Sequence, residues 1–92
     1  MKPYLWEPDK NDWLKKNRGL CFEDAIFHIE NGYLIDIIAN PNQKKYENQR
    51  VYLVEIQKYV YMIPFAETEQ HYFLKAIIPS RKMTKKYLGG IK

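Results

Sequence analysis

Residues 50–78 read Arg50-Val51-Tyr52-Leu53-Val54-Glu55-Ile56, then Gln57-Lys58, then Tyr59-Val60-Tyr61-Met62-Ile63-Pro64-Phe65, then Ala66–Gln70, then His71-Tyr72-Phe73-Leu74-Lys75-Ala76-Ile77-Ile78. β-Branched and aromatic residues fill three runs of seven or eight, separated by two short polar connections. That spacing predicts a three-strand antiparallel meander. Gln57-Lys58 is a tight turn without the usual glycine. Pro64 has no N–H for a ladder and predicts an edge position or a strand end. Alternation puts Tyr59, Tyr61, Ile63 and Phe65 on one face and Val60 and Met62 on the other. In the last strand Tyr72, Leu74, Ala76 and Ile78 form the apolar side.

Leu34-Ile35-Asp36-Ile37-Ile38 is a fourth strand, joined to the meander by an Asn-rich loop over Ala39–Gln49 with Lys44 and Lys45 at its tip. Upstream the period becomes helical. Glu7-Pro8-Asp9 opens a short helix that stops at Asn17-Arg18-Gly19. A second helix starts at Cys21 or Phe22, carries Phe22, Ala25, Ile26 and Ile29 on one side, and closes at Asn31-Gly32. Cys21 stands where an N-cap serine is usual, and with no histidine near it in sequence it reads as structural rather than nucleophilic. After Pro79-Ser80-Arg81-Lys82-Met83, Thr84 is expected to cap a short basic helix through Leu88, ended by Gly89-Gly90.

The expected fold is therefore α+β. Two N-terminal helices pack on one face of a roughly four-stranded antiparallel sheet, and a short C-terminal helix follows. Residues 1–92 form a single domain. The core candidates are Phe22, Ile26, Ile29, Leu53, Val60, Leu74 and Ile78, with the second sheet face left to tyrosines and cations.

The chain has 92 residues, 46% hydrophobic and 28% charged, an ordinary balance for a globular domain, with eight tyrosines. One cysteine and two histidines exclude a disulfide and a cysteine zinc cage, and no cofactor or metal is expected. No apolar run approaches a membrane span, and no signal-peptide core opens the chain, so a cytoplasmic protein with no membrane partner is expected. The net charge is +4, yet residues 79–92 alone hold five cations and no acid, which leaves the remainder at −1. A basic segment of this kind suits a phosphate-rich or acidic partner.

No Ser-His-Asp order, metal-binding His pair or phosphate loop is present. Cations and phenols around a sheet are an inventory that metal-independent RNA cleavage can use. Arg or Lys stabilises the phosphorane charge, and His, Glu, Tyr or Lys moves protons. The same inventory fits a non-catalytic RNA- or DNA-binding module or a protein-interaction domain.

Trp6-Glu7-Pro8-Asp9-Lys10-Asn11, followed by Asn17-Arg18-Gly19-Leu20-Cys21-Phe22-Glu23-Asp24-Ala25, resembles the opening of the BrnT toxins. Ile78–Thr84 (IPSRKMT) is similar to that family's end-of-sheet signature, and Val60–Glu67 looks like its penultimate strand. The resemblance runs over residues 6–88. It departs at Cys21 for serine, at Asn42 where many members have histidine, at Thr68 where arginine is frequent, and at Pro79. It implies a RelE-like fold and a ribonuclease toxin of a type II toxin–antitoxin system. Such a toxin inhibits translation and is neutralised by a cognate antitoxin in a hetero-oligomer. On that reading Arg81, Glu67, His71 and Lys75 are the catalytic candidates, and Arg50, Lys82, Lys85, Lys86 and Tyr61 the RNA-binding ones.

Overall fold

The computed structural model describes residues 2–42, 44–45 and 49–89. In chain order the elements are β1 (Tyr4–Leu5), α1 (Pro8–Arg18), α2 (Phe22–Glu30), β2 (Leu34–Ala39), β3 (Arg50–Ile56), β4 (Tyr59–Glu67), β5 (Tyr72–Leu74), β6 (Ile78–Pro79) and α3 (Arg81–Leu88). The fold is α+β, as expected, but the sheet has six strands rather than four. Its order is β1-β5-β4-β3-β2, with β6 also on β4. The two additions are two-residue strands, too short to leave a periodic signal. β1 pairs with β5 in parallel, Tyr4 opposite Tyr72 and Leu5 opposite Phe73.

The two N-terminal helices form where expected because their ends are chemically marked. Pro8 begins α1, and Gly19 closes it with a positive φ of 66°. Buried Asn11 then joins the helices. Its Oδ1 accepts from the Phe22 N–H at 2.7 Å, and its Nδ2 donates to Glu23 Oε1 at 2.8 Å. The Asn11 amide is the main reason that the Glu23 carboxyl titrates below its ordinary value. At the start of α2 the Asp24 carboxylate accepts from the Cys21 N–H at 3.1 Å. Burial pushes the Cys21 thiol up, which keeps it protonated and agrees with a structural cysteine.

Leu14, Phe22 and Ala25 pack on Tyr52, Val54, Ile56, Ile63, Phe65 and Leu74, the α1/α2 side of the sheet. The opposite side is covered in part by α3, whose Met83, Tyr87 and Leu88 lie on Val51, Leu53 and Val60. The two N-terminal helices thus share one face, as expected, and α3, which the sequence reading gave no face, takes the other. The tyrosines follow the alternation rather than the expectation of an open polar face: Tyr4, Tyr52, Tyr61 and Tyr72 all belong to the α1/α2 side.

The Gln57-Lys58 turn closes β3 onto β4 with both residues at positive φ, 53° and 65°. This is the mirror-image turn that matches strand twist, made here without glycine or asparagine.

The run His71–Ile78 is not one strand. From Leu74↔Phe65 to Ile78↔Met62 the register takes four steps on one chain against three on β4, so residues 75–77 hold a one-residue bulge. The slip exchanges the two faces: Ile77 is 1% exposed in the core, and Ile78, expected there, is 43% exposed. The bulge also accommodates Pro64. This proline lies inside β4, between β3 and β5, not at an edge. Its carbonyl accepts from the Lys75 N–H at 2.8 Å, so its missing donor faces the interrupted stretch of ladder. Arg18 Nη1 donates to the Ile77 carbonyl at 2.9 Å and anchors the bulge to α1.

The last helix begins earlier than expected. Ser80, not Thr84, is its N-cap, with Oγ accepting from the Met83 N–H at 3.1 Å. Thr84 lies one turn inside. Its hydroxyl donates to the Ser80 carbonyl at 2.7 Å and accepts from the Val60 N–H at 2.9 Å. That bridge ties α3 to the start of β4. The Gly90 of the expected stop lies outside the described residues.

Candidate nucleic-acid interface

The two sheet faces divide the candidate residues. Arg50 and Glu67 belong to the α1/α2 face by strand alternation, beyond the ends of those helices. Glu67 is held by two cations: Lys2 Nζ lies 2.5 Å from Oε2 and Arg50 Nη2 lies 2.5 Å from Oε1. Lys2 also donates to the Thr68 carbonyl at 2.8 Å and lies over the Tyr72 ring, while the Arg50 guanidinium lies over Phe65. The hydrogen bond from Lys2 is the main reason that the Glu67 carboxyl is held below its ordinary value, with Arg50 acting in the same direction. A carboxylate stabilised in this way is a weak proton acceptor. Half-exposed Arg50 has an acidic partner already.

Tyr61 is half-buried against the α1/α2 core, its ring set edge-on to Tyr59. Below Arg50, Tyr52 stacks on Phe65 with centroids 3.9 Å apart, and the Tyr4 ring lies 6.5 Å from Tyr52. Burial pushes both phenols up, Tyr52 further, so they are neutral packing groups.

The α3 face carries the rest. His71 closes the turn after β4: its N–H donates to Thr68 Oγ1 at 3.0 Å, and its carbonyl accepts from the Thr68 N–H at 2.9 Å. Its ring stands edge-on to Phe73, and the Lys75 ammonium lies 5.1 Å from the Phe73 centroid. His71, Phe73 and Lys75 are therefore on one side of the sheet. Arg81 and Lys82 form the first turn of α3, and Lys85 and Lys86 the last, all four exposed. Among the described residues no carboxylate lies within ion-pair distance of any of them. Lys86 makes a cation–π contact with Tyr87. Two cations in the first turn also oppose the helix dipole, an arrangement that stability alone would not favour.

Beside α3 the same face opens into a cleft of about 550 Å³. Val51, Met62, Pro64 and Ile78 make its floor, and Asn42, Gln49 and Lys75 stand at its rim. Asn40 organises the rim: its N–H donates to the Gln49 carbonyl at 3.1 Å, and its Oδ1 accepts from the Asn42 N–H at 2.9 Å.

Of the four catalytic candidates, His71, Lys75 and Arg81 share the α3 side, and Glu67 faces away from it. Lys75 alone borders the cleft. The sequence reading missed the cleft because its rim comes from a loop and its floor from alternate residues of three strands. It missed Lys2 because that residue lies 65 positions from Glu67 in sequence. Among the described residues no helix is long and apolar enough to cross a membrane. No family model, curated protein or solved structure matches this chain.

Proposed function

We propose that this protein is a BrnT-like ribonuclease toxin that acts on RNA without a metal ion and is neutralised by a cognate antitoxin. The observation that carries the reading is α3, a helix with four exposed cations, no acid, and no ion pair among the described residues. A basic surface that leaves its charges unpaired suits the phosphates of a nucleic acid. In this reading Lys82, Lys85 and Lys86 hold the RNA backbone. Arg81 and Lys75 offset the charge that grows on the attacked phosphate as the 2′-oxygen adds. His71, on the same face, is the proton-transfer group: it takes the proton of the 2′-hydroxyl and returns it to the 5′-oxygen as the bond from that oxygen to phosphorus breaks, which leaves a 2′,3′-cyclic phosphate. Glu67 and Arg50 take the structural part of their ion pair rather than a chemical step.

A second reading, a non-catalytic RNA-binding or protein-interaction module on the same fold, is favoured by the dispersal of Glu67 to the other face. One experiment separates the two. Purified protein is incubated with total RNA in the presence of a chelator, and products and retained complexes are both measured. Fragments that disappear with Arg81→Ala support the toxin. Salt-sensitive retention without fragments supports the module, and neither fragments nor retention rejects both RNA readings.

A further inference from the structure

The cleft beside α3 has a composition that selects its occupant. Its floor is apolar (Val51, Met62, Pro64 and Ile78) and its rim is amide (Asn42 and Gln49). Among the described residues its one charged lining residue is the exposed Lys75, which has no carboxylate partner among them. At about 550 Å³ it lies within the roughly 300–1,000 Å³ usual for small-molecule sites. Among the described residues no acid lines it.

A flat ring with a hydrogen-bonding edge and an attached anion matches all three parts. The apolar floor takes the faces of the ring. Carboxamides supply a donor and an acceptor side by side, the pairing that reads base edges. No described residue donates to or accepts from the Gln49 side-chain amide, and the Asn42 Nδ2 is likewise without a partner. Among the described residues the Asn42 Oδ1 accepts only from the Lys45 N–H, at 3.3 Å. Asn42 and Gln49 thus bring to the rim amide groups that the described residues of the loop do not use, while the Asn40 Oδ1 holds the Asn42 N–H.

We propose that this cleft binds one nucleobase of an RNA strand, read by Asn42 and Gln49, with the adjoining phosphate on Lys75. The inference rests on the RNA-directed reading of the α3 face and adds a base-sized pocket to its phosphate contacts. Bound RNA would then lie with one nucleotide in the cleft and its neighbours along Arg81, Lys82, Lys85 and Lys86. Phosphate contacts fix position, whereas this pocket would supply whatever base preference the protein has.

The test is a ¹⁵N NMR titration of the full chain with each of the four nucleoside 5′-monophosphates, with ribose 5-phosphate and adenosine as controls. At least one nucleotide should shift the Asn42 and Gln49 side-chain amides together with the Ala76 backbone amide, and ribose 5-phosphate should not. Lys75→Ala should weaken the nucleotide about tenfold and leave adenosine unchanged. Ala76→Trp, which fills the cleft, should abolish the shifts while longer RNA still binds. Ala76→Ser retains them and controls for folding. Equal shifts with ribose 5-phosphate would reduce the cleft to an anion site and overturn the inference. So would silence with all four nucleotides. RNA binding lost by Lys85→Glu/Lys86→Glu, with a silent cleft, removes only this inference. Nucleotide shifts without RNA binding or cleavage remove the proposed function and leave the nucleobase site standing.

Discussion

The two faces of one sheet are built to different specifications. On the α1/α2 side Phe22, Leu14 and Ala25 are fully enclosed, an aromatic stack continues the packing, and Asn11 fastens the two helices together. On the other side α3 has no fully buried residue, covers part of the sheet, and leaves an apolar cleft open beside it. The first face spends its side chains on cohesion. Among the described residues the second leaves the four α3 cations without an ion pair and keeps part of its apolar surface accessible, at some loss of stability. Cohesion and accessible surface are thus separated by the thickness of a sheet.

The largest effect that bears on this contrast is in the core. Phe22→Ala should destabilise by about 3–5 kcal/mol, because a large enclosed ring leaves a cavity the helices cannot close. Met83→Ala on α3 should cost only about 1 kcal/mol, since its side chain is half-buried. Equal losses in urea unfolding would mean that the faces contribute alike. Next is the fastener. Asn11→Ala strands the Phe22 N–H and frees Glu23, and chemical denaturation should register a loss of about 2 kcal/mol.

Two changes should raise stability. Lys58→Gly relieves a left-handed residue in the β3–β4 turn, for a gain of about 1 kcal/mol once the entropy of glycine is counted. Lys82→Glu places an acid in the first turn of α3, for about 0.5 kcal/mol, and should weaken RNA retention at the same time. A variant stabilised without loss of RNA binding would break the link between unpaired charge and function.

The smallest effect concerns pH. Glu67 titrates below its ordinary value of 4.5 because of Lys2 and Arg50. Its contribution to stability is therefore present above pH 4.5 and is lost as pH falls through the lower folded-state value. Thermal melts of the native protein and Glu67→Gln should differ near neutral pH and converge in acid. A constant gap would mean that the ion pairs add nothing.

The large elements were legible in sequence because each carries its own period and end marks: Pro8 and Gly19 around α1, the Phe22–Ile29 stripe of α2, and the alternation of β3 and β4. The errors have local causes. A strict two-residue period carried through 71–78 put Ile78 inside, whereas the bulge opposite Pro64 puts Ile77 there. Thr84 looked like a cap because it begins the run before Leu88, yet Ser80 has the free amides of a helix start to serve. The candidate site was legible as chemistry rather than geometry. Lys75, Arg81 and the α3 lysines share a face, but which face Glu67 joins depends on where β4 ends. The cleft depends on the conformation of an Asn-rich loop that no periodicity describes.

The parallel pairing of β1 with β5 joins residues 4–5 to residues 72–73, across most of the chain. Such a contact gains little until the intervening meander exists to receive it, since closing so long a loop is entropically costly and two residue pairs return little. Tyr4 and Leu5 should therefore join the sheet last during folding and leave it first. The Tyr72 N–H, which donates to the Pro3 carbonyl at 3.0 Å, would exchange its hydrogen with solvent sooner than the amides between β3 and β4. The edge of the sheet nearest His71 and Phe73 would then open and close while the rest stays folded.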